Sequence, residues 1–211
     1  MASAKVSANP ATHTVASIYK LLIGSVVPRP IAFVSTISKA GSPNLAPFSF
    51  FNAICSEPPA ICFSVANRTP SKDTVANIRA NGEFVVNIVT EAIAEQMNLC
   101  SGDYAPGVSE FEVSGLTPDP SEVVRPPCVR ESPVNMECKL IQIIEVSTKP
   151  SGASLIIGEV VRFHFDPAIA ENFRIDPFKL RAIGRMGGAG YIRTSDYFEM
   201  IRPRIPLKSS D

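Results

Sequence analysis

A cluster of cations and hydrogen-bond donors follows an apolar run about one third of the way along the chain. Residues 67–74 read NRTPSKDT and lead into a short segment with helical spacing. The first turn of a helix presents unpaired N–H groups and about half a positive charge. Arg68 and Lys72 add two cations, and Ser71 and Thr74 add hydroxyl donors. This combination predicts a binding site for a phosphate dianion.

The helix that such a site needs is short. Val75 and Ile78 are three residues apart, and Gly82 stands where a helix commonly ends. Ser71 or Asp73 would cap its first turn. The same residues could form an ordinary capped helix on a polar surface, so both interpretations stay open.

A second candidate for chemistry is the segment NLAPFSFFNA, residues 44–53. Pro47 cannot donate to a sheet ladder, so it belongs at an edge, a bulge or a rim that faces a ligand. Neighbouring backbone groups would then be free to pair with a flat heterocycle, and Ser49 adds a hydroxyl. Three aromatic rings accompany them: Phe48, Phe50 and Phe51. The alternative is that these rings only fill the core.

The elements around these segments are mostly strands. β-branched and aromatic residues predict strands over 28–38, 45–55, 60–66, 83–89, 135–147 and 153–165. Helical spacing is found over 15–24, after 73 and over 91–100, and a long surface loop is expected over 101–133. Turn residues join strands directly at 39–44 and 148–152. This order predicts a mainly β fold, an antiparallel sheet closed into a small barrel with a few peripheral helices.

The length of 211 residues suits a single domain. Residues 1–14 are interpreted as a loose N-terminal arm, and residues 176–211 as a C-terminal arm. The 20 basic and 20 acidic side chains argue against a nucleic-acid-binding protein. No apolar run reaches the length of a membrane span, and the first residues lack the apolar region of a secretory signal. We therefore expect no membrane association and a cytoplasmic location.

Common catalytic and metal-binding signatures are missing from the sequence. The five cysteines form no CxxC pair and are expected to be buried, reduced thiols. His13 and His164 have no metal ligand at a suitable spacing, so no metal site is expected. GxSxG and P-loop motifs do not occur, and GRMGGAG at 184–190 does not fit the Rossmann pattern GxGxxG.

Several motifs occur together in a characteristic order. PRPIAFVST, GSPN, NLAPFSFFNAI, PPAICFSV, SKDTVANI, EFVVNIV and GEVVRFHFD follow one another along the chain. This set resembles the flavin reductase-like family of FMN-binding split barrels, in its flavoredoxin-like branch, over about residues 18–195. The resemblance implies a split β-barrel, a homodimer, and FMN held near the dimer interface. It also implies transfer of electrons from NADH or NADPH to the flavin and onward to an acceptor, in some members a partner monooxygenase.

The resemblance also implies site residues, by position. Those expected beside the flavin ring and ribityl chain are Ser35, Thr36, Ser49, Phe50 and Asn52. Those expected around the phosphate are Arg68, Lys72, Asp73 and Thr74, and Ser71 joins them as the hydroxyl donor described above. The tail IGRMGGAGYIRT resembles an arm of this branch, which implies that Arg185 and Tyr191 reach the flavin, in the same subunit or the other. The alternative for this tail is packing alone.

No side chain is expected to act as an obligate acid or base, so no catalytic residue is assigned. Reductases that feed large monooxygenases often have a histidine in the last hairpin, whereas here Ser154 lies near that place and His164 lies further along. Three hypotheses stay open: an NAD(P)H-dependent flavin reductase, an FMN electron carrier reduced by another protein, and a non-catalytic barrel for a different ligand such as haem. Three further choices also stay open: NADH or NADPH as donor, the final acceptor, and whether FMN is a fixed prosthetic group or a passing substrate.

Overall fold

The structure is a computed structural model that describes residues 4–68, 73–105 and 108–203. Its strands are β1 (Ala32–Ile37), β2 (Pro43–Phe48), β3 (Phe51–Ser56), β4 (Pro59–Ala66), β5 (Glu83–Ile88), β6 (Pro118–Asp119), β7 (Cys128–Val129), β8 (Val134–Glu145), β9 (Ala153–Phe165), β10 (Ala170–Glu171), β11 (Arg174–Ile175), β12 (Ile183–Arg185) and β13 (Tyr191–Arg193). Its α-helices are α1 (Val15–Ser25), α2 (Asp73–Asn81), α3 (Ala94–Leu99), α4 (Glu110–Ser114) and α5 (Pro177–Leu180). Short 3₁₀ turns occupy Pro10–Thr12, Glu91–Ile93 and Pro167–Ile169.

One seven-stranded sheet dominates the fold, in the order β2-β1-β5-β8-β9-β4-β3. Every neighbouring pair in it is antiparallel. The two edge strands, β2 and β3, are consecutive in the chain and only Ser49 and Phe50 separate them. Two residues cannot span an open sheet, because consecutive Cα atoms are about 3.8 Å apart. The sheet therefore curls into a barrel that is split between β2 and β3.

The split corrects one prediction. Residues 45–55 were expected to form one strand, but the segment divides between two edges of the barrel. Phe48 pairs with Ala32 of β1, whereas Phe51 pairs with Phe63 of β4. The carbonyl of Phe50 accepts a hydrogen bond from the N–H of Ser64. The change of partner strand, which local propensity does not encode, turns the chain here.

Aromatic rings fill the barrel interior. Phe48 and Phe63 have ring centroids 5.2 Å apart, and Phe63 meets Phe84 edge-on at 5.5 Å. Gly158 of β9 makes room for them, since a Cβ there would overlap the end of the Phe84 ring. Offset and edge-on contacts of this kind stabilise a core beyond the apolar area that they bury. Phe48 thus belongs to the core, whereas Phe50 does not.

A second apolar cluster lies outside the barrel wall and corrects another prediction. Phe33 of β1 points outward and packs in a cluster with Met97, Phe111 and Val129. Residues 101–133 were expected to be a loop over the surface, but they contain α4, β6 and β7, and several of their side chains are buried. These elements fix the position of α3 beside the split.

Other predictions are confirmed. The helix before Gly82 ends as expected, because Gly82 has φ +69° and its N–H donates to Ile78. The 153–165 strand has the predicted bounds.

The expectation of buried thiols is wrong for Cys55, which is exposed because the edge strand β3 has no layer over it. Within the described ranges, no helix has the length and apolar character needed to cross a membrane.

Candidate functional site

A cavity of about 220 Å³ opens at the split of the barrel. Ser49, from the crossing between β2 and β3, lines it together with Arg185 and Tyr191 of the C-terminal hairpin. The structure thus brings three predicted site residues to one place in the same chain. Among the described residues that line this cavity there are two arginines and no acidic side chain. We call it the split cavity.

The second arginine of the split cavity, Arg29, was not among the predicted site residues. It is 5% exposed, and its guanidinium donates to the carbonyls of Ile23, Val26 and Met186 at 2.7, 2.7 and 2.9 Å. Its Nε lies 3.5 Å from the hydroxyl of Ser49. The only signal in the sequence was an arginine between two prolines in PRPIAF, and nothing local says that this cation is buried.

The C-terminal hairpin places the other two side chains. Arg185 and Tyr191 are register partners in the β12–β13 pair, and the guanidinium lies 4.4 Å from the centre of the Tyr191 ring. Arg185 also donates to the carbonyl of Gly188 at 2.7 Å, in the turn of the hairpin. The Tyr191 hydroxyl lies 3.5 Å from Oδ1 of Asn98. A cation stacked on a half-exposed ring forms one wall of the cavity.

Phe50 and Asn52 lie next to the split on the open edge. Phe50 is 39% exposed, and the guanidinium carbon of Arg29 lies 5.8 Å from the centre of its ring. Asn52 is exposed on β3, where its Oδ1 accepts from the N–H of Ala53. Both side chains are accessible to a ligand that extends from the split cavity along the edge strand.

Ser35 and Thr36 are fully buried instead. The hydroxyl of Ser35 donates to the carbonyl of Pro127, and Oγ1 of Thr36 accepts from Asn77 at 3.0 Å. Both hydroxyls are therefore engaged inside the protein. In this structure they hold β1 to the neighbouring segments, rather than lining the split cavity.

The predicted phosphate site lies only partly within the described residues. Ser71 and Lys72 lie outside them. Arg68 forms an ion pair with Asp103, which follows α3. Thr74 is buried, and its Oγ1 accepts from Asn44 at 3.2 Å. The ion pair joins this corner to the segment that carries Ser101, another residue of the split cavity.

Asp73 begins α2 and faces a different cavity, of about 600 Å³. Glu110 and Glu112 line the same cavity. Three carboxylates disfavour a phosphate in this cavity, because like charges repel.

A cavity of about 490 Å³ adjoins the split cavity and shares Asn98 and Tyr191 with it. Its lining is largely apolar and includes Leu99, Ile183 and Ile192. We call it the apolar cavity.

The rim of the apolar cavity carries a network of charges. Glu91 lines it and forms ion pairs with both Arg181 and Arg193 at 3.0 Å. The hydrogen bond from Arg181, aided by that from Arg193, holds the pKa of Glu91 below its ordinary value. The network leaves this rim with a carboxylate that is already neutralised.

Sequence reasoning also missed a buried carboxylate. Glu137 is fully buried and accepts N–H groups from residues 122–124 and a 2.6 Å hydrogen bond from Nε2 of His164. Burial alone raises the pKa of Glu137, but the bonds from His164 and the three N–H groups outweigh it and lower the pKa. Cys128 lies close enough for the three side chains to offer ligand atoms within 4.8 Å of one another. Glu137 thus accepts four hydrogen bonds, and three of them anchor the backbone of residues 122–124 to the sheet.

Comparison with known proteins agrees with this architecture. The model of the flavin reductase like domain matches residues 23–178. An uncharacterised protein of Aquifex aeolicus is 44% identical over 180 residues, which are 84% of this chain and 90% of that protein.

Two solved structures are also close. Nitrilotriacetate monooxygenase component B from Bacillus cereus has a TM-score of 0.91 and 39% identity, covering 94% of this chain and all of that one. The 2-nitrobenzoate 2-nitroreductase of Pseudomonas fluorescens has a TM-score of 0.86 and 33% identity, covering 97% of this chain and all of that one. The expected mainly β, split-barrel fold is confirmed, and the chain belongs to the flavin reductase-like domain family of flavin-related oxidoreductases.

Proposed function

We propose that the protein is an NAD(P)H-dependent flavin reductase that holds FMN at the split of its barrel. The observation that carries this proposal is the split cavity, where two arginines, a stacked tyrosine and a serine hydroxyl meet and where none of the described lining residues is acidic. Such a site suits a flat aromatic ligand that carries negative charge. The family supports a flavin, and the choice of FMN rests on the single phosphate site predicted at 67–74.

The residues proposed to hold FMN fall into two groups. Ser49, Phe50, Asn52, Arg185 and Tyr191 would contact the ring and the ribityl chain. Arg68, Ser71, Lys72, Asp73 and Thr74 would form the phosphate end, with Asp73 and Thr74 acting through the helix that they begin. Ser35 and Thr36 would support the site from within β1.

We propose that a second copy of the chain completes the site. The split cavity measures about 220 Å³, whereas ligand pockets typically span about 300–1,000 Å³. The remaining surface of a flavin would lie over the exposed edge strand β3, next to Phe50 and Asn52. A homodimer that covers this edge would enclose the ligand and would also protect an unpaired strand.

Bound FMN would supply the acceptor for a hydride from NADH or NADPH. The protein would hold the flavin in position and supply the electrostatic field around it. Arg29 and Arg185 make the cavity positive, Tyr191 covers one side of it, and the apolar cavity provides adjoining space for a second flat molecule. Among the described residues, no Asp, Glu or His lines the split cavity, and no side chain there is proposed as an obligate proton donor or acceptor.

The relatives suggest two kinds of acceptor. The similarity to a monooxygenase component B supports a separate oxygenase that receives reduced flavin or its electrons. The similarity to a nitroreductase supports direct reduction of a small aromatic acceptor, and the apolar cavity beside Tyr191 offers a place for one. An electron carrier that another protein reduces is the second candidate function, and it requires the same flavin site.

The test is anaerobic mixing of the FMN-loaded protein with NADH and, separately, with NADPH. Prompt loss of the oxidised flavin absorbance is expected with at least one of them. A flavin that binds tightly but stays oxidised would favour the carrier, which a reducing partner would then have to bleach. A protein that retains neither FMN nor FAD would overturn the proposal.

A further inference from the structure

Arg29 is a buried cation with an unusual set of partners. Its guanidinium is held by three backbone carbonyls, from the end of α1, the following turn and the C-terminal arm. Within the part of the chain that the structure describes, no carboxylate pairs with it. Burying a charge is costly unless an opposite charge or strong hydrogen bonds compensate for it. The dipoles of the three carbonyls offset part of the cost of burying this charge. The side of the guanidinium that faces the cavity lies next to Ser49.

The donor count shows what Arg29 can still bind. A guanidinium has five N–H groups. Two on Nη1 and one on Nη2 donate to the carbonyls at 2.7–2.9 Å. Among the residues that the structure describes, none accepts from the second N–H on Nη2, and the contact of the Nε–H with Ser49 is long at 3.5 Å. Two neighbouring donors on a cation suit an anion whose charge is shared by two adjacent atoms.

We infer that Arg29 would contact the pyrimidine edge of a flavin bound in the split cavity, and that its charge would stabilise the negative charge that reduction places on that edge. This inference rests on the proposed flavin site. A hydride from a reduced nicotinamide, which would leave as the oxidised cation, would bring two electrons and one proton to a bound flavin and leave one negative charge at its pyrimidine edge. Arg29 would be the cation placed to stabilise that charge. A fixed positive charge at that edge favours the reduced form without any proton transfer.

The first test compares the midpoint potential of bound flavin in wild type, Arg29→Gln and Arg29→Lys. Losing the charge should lower the ratio of affinities for reduced over oxidised flavin by about tenfold, which lowers the two-electron potential by about 30 mV. Arg29→Lys should recover much of this loss, because it keeps the charge. Arg130→Gln, which removes a cation from an exposed ion pair, is the control for a general change of charge. An unchanged potential in Arg29→Gln would overturn the inference while leaving the proposed function standing.

Riboflavin has the ring of FMN but not its phosphate, so comparing the two ligands shows which part Arg29 contacts. If Arg29 serves the pyrimidine edge, Arg29→Gln shifts the reduced-to-oxidised affinity ratio by the same factor for FMN and for riboflavin. If the effect appears with FMN only, Arg29 serves the phosphate and the inference is wrong.

A measurement on the wild type alone covers the case in which Arg29 variants do not fold. The potential of bound FMN is followed over the pH range in which free reduced FMN, measured in parallel, gains its second proton. A flavin kept anionic by Arg29 takes up one proton per two electrons, so its potential should fall by about 30 mV per pH unit. Of the described residues that line the cavity, the other ionisable side chains are Arg185, Tyr19 and Tyr191, and none of them is a carboxyl or an imidazole. A slope twice as steep would mean a neutral reduced flavin and would overturn the inference.

Failure of the proposed function looks different from failure of this inference. If the wild-type protein binds no flavin, both the proposed function and the role of Arg29 are wrong. If the protein binds flavin and exchanges electrons with nicotinamide, but its potential shows the steeper dependence on pH, only the role of Arg29 is wrong.

Discussion

The guanidinium of Arg185 lies over the ring of Tyr191, with 4.4 Å between Cζ and the ring centre. Both side chains come from a short hairpin of the C-terminal arm, more than 130 residues after Ser49, which lines the same cavity. The arm therefore supplies one wall of the split cavity. Tyr191 also faces the apolar cavity, so its ring separates the two.

Tyr191→Ala should weaken flavin binding by roughly fivefold, which is about 1 kcal/mol for the loss of one aromatic contact. Tyr191→Phe keeps the ring and loses only the long contact of its hydroxyl with Asn98, so its affinity should stay near that of the wild type. Titration of the apoprotein with FMN, followed by flavin fluorescence, measures both. Equal losses in the two variants would place the role of Tyr191 in its hydroxyl rather than in its ring.

Arg68→Ala should weaken binding of FMN by about fivefold and leave riboflavin almost unaffected, because an exposed cation contributes about 1 kcal/mol to a charge pair. Asp103→Ala should act in the opposite direction, since it removes the carboxylate that competes for Arg68. The matched control is Arg79→Ala, from another exposed ion pair, with Glu145. A loss of affinity for riboflavin equal to that for FMN would contradict a phosphate role for Arg68.

Gly158→Ala should destabilise the protein by about 1–3 kcal/mol, because the added methyl overlaps the buried ring of Phe84 and the core is overpacked. The control is Gly24→Ala in α1, where a Cβ meets nothing within 4 Å. That change should stabilise the protein by up to about 1 kcal/mol through helix propensity. Urea unfolding monitored by circular dichroism gives both values.

In the same series, Phe84→Leu should reduce the cost of the Gly158 substitution, because it removes the end of the ring. If the two costs simply add, overlap with Phe84 is not the cause.

Glu137→Gln should lower the free energy of unfolding at neutral pH by about 2–3 kcal/mol, since the amide cannot accept all the bonds that the carboxylate receives. The pKa of Glu137 in the folded protein lies below its ordinary value of 4.5. Its contribution is therefore complete above about pH 4.5 and is lost as the pH falls through the lower, folded value.

The variant should accordingly show a shallower loss of stability on acidification than the wild type, measured by urea unfolding at neutral pH and below pH 4.5. Glu145→Gln, at an exposed carboxylate, serves as the control. Parallel acid profiles for wild type and Glu137→Gln would show that another group controls the acid transition.

Local patterns predicted the elements whose partners are adjacent in the chain. The hairpin formed by 135–147 and 153–165 was found because its turn residues and apolar runs are contiguous. The end of α2 at Gly82 was found because a left-handed residue marks it. The break after Phe48 was missed, since strand propensity continues through Ser49 and Phe50 and only the choice of partner strand divides the segment.

Sequence reasoning likewise found only those residues of the candidate site that lie in recognisable local motifs. The resemblance pointed to Ser49, Arg185 and Tyr191, which the structure brings together. Arg29 could not be found, because Met186, one of its partners, is 157 residues away and backbone carbonyls leave no mark in the sequence. The pair of Glu137 and His164 depends on the register between β8 and β9, which shifts next to Glu137.

A crystal structure of the protein grown with FMN would show whether the flavin lies at the split of the barrel. Density for the flavin ring is expected between Ser49 and the Arg185–Tyr191 stack, with the phosphate on the Arg68 side of α2. A flavin bound elsewhere, with the split cavity filled only by solvent, would contradict it.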